Sequence, residues 1–462
     1  MTAPIEPTPR QSPAAAECVA IPSARQADRL TPARRFALIA ATHSLIDIFP
    51  IFFTSLMLVF QGRLNLSAQQ ETIIYMLTPI FSGSTQPFFA WLSDKFDTRL
   101  CGPIGLALGA TCIGSIGFAQ NFEQLIALQI LGVIGTGMYH PIGVALAGQS
   151  GMKFLRRGRT QAIGLFIAAG MLGQAVGPQI ATRVSNAPAL GMEHLAWLII
   201  PAIIAAIALH NLTRRMPHRH DDHRARRASF DHAESRRRWF AIGVITAQNA
   251  LRFTSNVGMF VMFNVWAKSK MLAHMPGAPE AKIDESGAAM AAKLASAMTI
   301  GMGVCVLTVG WLVPRGREHR PLWLFSLIGA AAMASAGYIG DWGVEQFGVG
   351  ALGVLPMAIM IALTPIGFFA TFPVATSLAQ RLQPGHTSLV SALMMGVGWA
   401  ISSLAPIVAM AFFGGVTTKE APLLSDARVN HGFLGFAALI VIAGALTVFI
   451  SPRLVQRAAD EH

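Results

Sequence analysis

His43 and Asp47 stand four residues apart in an otherwise apolar run, so on a helix they share one face. Ionisable side chains at membrane depth are expensive to hold and usually mark function. A carboxylate desolvated there is suited to taking up and releasing a proton, with an imidazole as neighbour or relay. Asp47 and His43 are therefore the candidate proton-coupling pair, against the plainer alternative of an Asp held by a hydrogen bond between helices. Gln248, Arg252 and Asn256 also recur every four residues and make a polar stripe. An Arg inside a bundle needs a counter-ion or an anionic ligand, and both readings stay open: an ion pair with Asp47, or ligand binding. Thr78, Ser82 and Gln86 form a third stripe, and His140 lies just before Pro141. The candidate substrate-binding set is thus Gln86, His140, Gln248, Arg252 and Asn256. Ordinary packing competes for His140, and interhelical hydrogen bonding for the Thr78 stripe.

These residues need helices to carry them, and the composition says which kind. Of 462 residues, 53% are hydrophobic and 13% charged, whereas a soluble domain carries roughly 25% charge. Gly and Pro are plentiful inside apolar runs, which a membrane bundle tolerates because neighbouring helices satisfy the freed backbone groups. Apolar stretches long enough to cross a bilayer, about 20 residues, fall near 34–60, 69–92, 100–119, 124–150, 160–182, 190–212, 239–266, 288–313, 321–340, 348–379, 387–414 and 432–451. The fold class expected is all-α and integral to the membrane.

Basic residues set the orientation, because Lys and Arg are retained on the cytoplasmic side of short loops. With both termini inside, Lys95, Arg99, Lys153, Arg156, Arg157, Arg159, Arg315, Arg317 and Arg320 all fall in cytoplasmic segments, and the opposite loops are sparser. The net charge of +12 is then a topology signal and not a nucleic-acid footprint. Residues 1–33, rich in Pro, are expected to be a disordered cytoplasmic tail, and 453–462 a second tail. The basic run 213–238 separates an N-terminal half, 34–212, from a C-terminal half, 239–452. His218, His220, His223, Asp221 and Asp222 within it read as a solvated linker facing lipid headgroups. Residues from Lys268 to Ser286 look like an irregular outer connector. Cys18, Cys101, Cys112 and Cys305 lack metal-ligand spacing and read as small apolar residues.

The halves echo each other, as internal repeats do. After the second span comes Trp91-Leu92-Ser93-Asp94-Lys95-Phe96-Asp97-Thr98-Arg99, and after the eighth comes Gly310 through Arg320. This loop resembles that of the major facilitator superfamily, in which an Asp and basic residues act as a latch between helix ends. Asp94, Lys95 and Arg99 match, and Arg315 stands in register in the second half. Ala90 and Asp97 replace that motif's glycines, and Thr98 replaces a basic residue. Gly164, Gly173, Gly177 and Pro178 fit G-x8-G-x3-G-P, which resembles the signature of proton-coupled exporters, with Ala181-Thr182 in place of its trailing glycines.

The chain is most similar to the fosmidomycin-resistance branch through Thr42-His43-Ser44-Leu45-Ile46-Asp47, Met138-Tyr139-His140-Pro141, and Gln380 through Gly385 leading into Ser391 through Gly396. Ile142 stands where that branch carries an acid. The resemblance implies a twelve-helix fold of two six-helix halves with pseudo-twofold symmetry. It also implies a monomeric antiporter in the inner (plasma) membrane that exports a small anionic or amphipathic compound against protons, as drug-resistance transporters do.

No nucleophile-base pattern supports an enzyme, and neither a resident metal nor a cofactor is called for. No repeated pore loop or ring of like charges supports a channel. An uptake symporter for an organic anion, and a transport-inactive sensor or lipid-handling relative, remain as alternatives.

Overall fold

The computed structural model describes residues 31–95, 100–151, 153–155, 158–187, 191–214, 231–313, 316–383, 390 and 393–461. Every regular element among them is helical, and together they make twelve spanning segments. Span 1 begins where the Thr31 hydroxyl accepts from the Arg34 N–H at 3.3 Å, with Pro32 in the first turn, where a missing N–H is harmless. It runs as Pro32–Ile48, Phe52–Ser55 and Met57–Leu64. Pro50 has no backbone N–H and so cannot bond back to Ile46, which accounts for the first break. Asn65, left-handed at φ 47°, turns the chain back.

Span 2 is Ala68–Lys95, span 3 is Cys101–Gly114 with a 3-10 turn at Ile116–Phe118, and span 4 is Phe122–Gly151. Span 5 is Gly158–Asn186, and span 6 joins Met192–Leu198 to Ile199–Thr213. The second half holds span 7 (His232–His274), span 8 (Glu280–Leu312) and span 9 (His319–Phe347). Span 10 is broken into Ala351–Leu363, Pro365–Phe368 and Thr371–Leu382, and span 11 into Leu393–Val397, Gly398–Ser402 and Ala405–Phe412. Span 12 is Asp426–Ala445 with Leu446–Phe449, and the helix Pro452–Asp460 follows.

Nine of the described helices are long and apolar enough to cross a bilayer unaided. Spans 2 and 7 carry polar stripes, and span 11 is made of short pieces. Ile200, Ile204 and Ile207 are each more than half exposed along one face of span 6. Lipid tails solvate such side chains as well as a protein interior does.

One expectation needs correction, and two gain detail. The outer connector is 275–279 and not Lys268 to Ser286, because span 7 continues to His274. Lys268 and Lys270 stay helical and buried because acids meet them: Lys268 Nζ lies 2.7 Å from Asp284 Oδ1, and Lys270 Nζ lies 2.6 Å from both Asp341 Oδ1 and Asp426 Oδ1. The tail expected at 453–462 is helical over Pro452–Asp460, with Leu454, Val455 and Ala458 packed beside Ile242 and Leu378. Residues 1–30 of the expected N-terminal tail and 215–230 of the linker lie outside the described residues, whereas 232–238 open span 7.

The halves meet along spans 2 and 11 and along spans 5 and 8. Their cross-hydrogen bonds lie toward the face opposite the two chain ends. Asn264 Nδ2 donates to the Tyr75 hydroxyl at 2.8 Å and to Thr54 O at 2.9 Å. Ser296 Oγ donates to Ala175 O at 2.6 Å, Asn186 Nδ2 to Glu285 O at 3.0 Å, and Lys419 Nζ to Leu66 O at 2.9 Å.

Candidate functional site

Asp47 occupies the last helical turn before the Pro50 break, where spans 1, 4 and 5 converge. Its Oδ1 lies 3.0 Å from His140 Nε2, and its Oδ2 accepts from Gln174 Nε2 at 3.0 Å and lies 3.4 Å from His43 Nε2. The two imidazoles are each fixed from behind: His43 Nδ1 lies 2.6 Å from Phe166 O, and His140 Nδ1 lies 2.6 Å from Thr136 O. The His43 ring also stacks on Phe166 at 3.8 Å between centroids. The Tyr139 hydroxyl, 2.7 Å from Thr42 Oγ1, donates to Ile39 O and braces span 4 against span 1.

The chemistry follows from the partners. A carbonyl oxygen can only accept, so both Nδ1 atoms carry hydrogen. Each Nε2 of a neutral ring would then point a lone pair at the Asp47 carboxylate. Two acceptors 3.0 Å apart repel, so a proton belongs between His140 Nε2 and Asp47 Oδ1, held by one or the other. The triad can thus hold a proton chemically, and it is unequally accessible: Asp47 and His43 are 3% and 4% exposed, but His140 is 22% exposed. His43, Asp47 and His140 are also the metal-capable group found among the described residues, with ligand atoms within 4.8 Å of one another. In this arrangement His140 and Gln174 already engage both carboxylate oxygens, so the set closes as hydrogen bonds.

Glycines on span 5 make the approach possible. A Cβ at Gly170 would lie 2.6 Å from Asp47 Oδ2 and overlap the His43 ring, one at Gly173 would overlap Ser44 O, and one at Gly177 would lie 2.6 Å from Ile48 O. Gly164 has open space around its missing side chain. Gly173, Gly177 and, near them, Pro178 therefore belong to the seam that seats span 1, and Gly164 does not. Gly170 and Gln174 escaped the sequence reading. Gln174 was the detectable one, a long amide inside an apolar run, whereas Gly170 acts only by being small.

The second-half stripe is spent differently. Arg252, fully buried, donates from Nη1 to Gln248 Oε1 at 3.2 Å, and from Nη2 to Leu322 O at 2.8 Å and Ser326 Oγ at 3.2 Å. Gln248 Nε2 in turn donates to Thr447 Oγ1 at 3.2 Å. This cluster joins spans 7, 9 and 12, and Arg252 is not among the partners of Asp47. Asn256 Nδ2 faces Met302 Sδ at 3.9 Å. Gln86 Nε2 donates to Ser82 Oγ at 2.8 Å within its own helix, and Thr78 Oγ1 accepts from Gln129 Nε2 at 3.1 Å. Of the five candidate substrate residues, only His140 joins the triad.

Asp94 and Lys95 close span 2, and Arg99 and Arg315 of the expected latch lie outside the described residues. In the second half, Glu318 and Arg381 form an ion pair between the start of span 9 and the end of span 10, both largely buried.

The sequence profile of the Major Facilitator Superfamily matches residues 36–406. The Fosmidomycin resistance protein of Escherichia coli (strain K12) is 24% identical over 176 residues, 38% of this chain and 42% of that protein. The alignment thus spans less than half the length of this relative. Among solved structures, a bacterial homologue of the human lysosomal transporter Spinster, inward-facing and unoccupied, superposes with TM-score 0.65 at 14% identity, over 93% of this chain and 98% of that one. A peptide transporter in complex with alafosfalin gives TM-score 0.64 at 14% identity, over 92% and 95%.

Proposed function

The chain belongs to the Major Facilitator Superfamily and is a membrane transporter rather than an enzyme, and from that premise we propose that it couples proton movement at the His43–Asp47–His140 triad to export of a small anionic or amphipathic compound. The observation that carries this reading is the contact between His140 Nε2 and Asp47 Oδ1, with both imidazole Nδ1 atoms already committed to carbonyls. It can be satisfied only by a shared proton.

His140, the more exposed member, receives protons and passes them to Asp47, and His43 holds the carboxylate in place. Loading adds positive charge among spans 1, 4 and 5 and attracts an anion; unloading removes that attraction. The halves rock, and the hydrogen bonds opposite the chain ends seal one face in this conformation. Both chain ends are cytoplasmic, the membrane is the inner (plasma) membrane, and the transporter works as a monomer among lipids. Asp94, Lys95, Arg99 and Arg315 serve as the latch at the cytoplasmic ends. Export is supported by the name of the Escherichia coli relative and by the glycine seam of span 5.

The test is flux of fosmidomycin and other small phosphonates in proteoliposomes under imposed pH gradients of either sign. Antiport accumulates the compound in vesicles with an acid interior. Accumulation only in vesicles with an alkaline interior makes the protein a symporter, and no flux under either gradient favours a sensor or lipid-handling role.

A further inference from the structure

Four arginines converge where the chain's last helix meets the start of span 7. Arg236 and Arg237 lie one turn before Phe240, and Arg453 and Arg457 lie on the outer side of Pro452–Asp460. Together with Phe240 and Phe449 they line a cavity of about 750 Å³. All four guanidinium groups are exposed, and none has an acid partner among the described residues.

Glu234 also lines the cavity, but its charge is taken up by Arg238, whose Nε lies 2.9 Å from Glu234 Oε1. Arg238 further grips Glu461 with two hydrogen bonds, Nη2 to Oε1 at 2.7 Å and Nη1 to Oε2 at 3.0 Å. That grip fixes the end of the last helix against span 7, while Leu454, Val455 and Ala458 bury its inner side. The cavity is therefore held by packing and by a bidentate ion pair, and its lining keeps a clear excess of positive charge.

Phe240 and Phe449 show the depth. They are 59% and 58% exposed, and Phe449 ends the last spanning segment. Phe240 sits about 6 Å further along the helix than Arg236. The site thus presents guanidinium groups at the level of lipid headgroups and aromatic rings at the level of the first acyl carbons, on the face that carries both chain ends.

We propose that this groove binds the phosphate headgroup of an anionic phospholipid, with Arg236, Arg237, Arg453 and Arg457 on the phosphate and Phe240 and Phe449 against the acyl chains. Basic pockets between spanning helices recognise anionic headgroups by this division of labour, and planar guanidinium groups suit phosphate oxygens better than ammonium groups do. The site is separate from the triad, so this inference stands whether or not the triad moves protons.

The test uses full-length, delipidated protein in non-ionic detergent, with native mass spectrometry and thermal unfolding as readouts. The probes are short-chain phosphatidylglycerol, phosphatidylcholine and inorganic phosphate. Phosphatidylglycerol is expected to stay bound and raise the unfolding temperature, with phosphatidylcholine and phosphate each weaker. The variant with all four arginines changed to Gln is expected to bind phosphatidylglycerol at least about tenfold more weakly. The matching Lys variant, which keeps the charge and controls for folding, is expected to retain most of the binding. Inorganic phosphate binding as tightly as phosphatidylglycerol would overturn the lipid assignment. So would a Gln variant that binds like wild type, or equal retention of phosphatidylcholine.

Discussion

Two of the buried polar clusters within this bundle contain the four-residue stripes, and sequence periodicity alone ranks them as equals. In the first half, His43, Asp47, His140 and Gln174 come from three helices and include groups that exchange protons. In the second half, Arg252 carries a permanent charge and meets only neutral acceptors on Gln248, Leu322 and Ser326. A cluster that needs a proton to be satisfied can respond to proton supply. A buried cation whose two terminal nitrogens bond amide, carbonyl and hydroxyl oxygens ties helices together, although Arg252 Nε has no hydrogen-bond partner among the described residues. The same four-residue spacing therefore carries two different jobs, and the partners across the interface decide which.

The comparison is most exposed at its titratable end. Asp47→Asn is expected to reduce pH-gradient-driven flux by at least about a hundredfold, the scale of losing a positioned proton-transfer group, while the protein remains folded by size exclusion. His140→Gln is expected to reduce initial flux less than Asp47→Asn but more than His43→Gln, because His140 is the exposed member. Equal effects of the two histidine variants would remove His140 from the entry route.

At the other cluster, Arg252→Gln removes the donor to Gln248 Oε1 and Ser326 Oγ, while the Leu322 carbonyl still accepts from Ser326 Oγ. Its expected effect is a loss of about 1–3 kcal/mol in stability, read by thermal unfolding, with the KM for transport unchanged. A raised KM with unchanged stability would make this half the ligand-binding one. The smallest contrast lies within the span 5 glycines. Gly173→Ala should destabilise by about 1–3 kcal/mol through overpacking against Ser44, and Gly164→Ala by no more than about 0.5 kcal/mol. Similar losses at both positions would restore the glycine pattern as a single unit.

The spans were legible because a bilayer demands apolar runs of fixed length, but the break at Pro50 within the first run was not read beforehand. The extension of span 7 past 266 was not, since Lys268 and Lys270 read as loop charges until Asp284, Asp341 and Asp426 are placed beside them. His43 and Asp47 could be paired from spacing within one helix. A two-repeat architecture puts His140 on the same side as them, but the contact itself depends on how span 4 packs on span 1, which no local pattern contains. Arg252 shows the same limit from the other side: periodicity gives its stripe but not the neighbour that the stripe faces. Gly170 was hidden more deeply, because its contribution is the space it leaves for His43 and Asp47.

The most direct test of the central claim is proton exchange by the purified transporter on adding fosmidomycin or a related phosphonate, comparing wild type with Asp47→Asn in weakly buffered solution. The account predicts a ligand-dependent proton signal in wild type that disappears in the variant while the variant stays folded. A signal of equal size in both proteins would contradict it, making Asp47 a structural hydrogen-bonding group and placing the proton elsewhere.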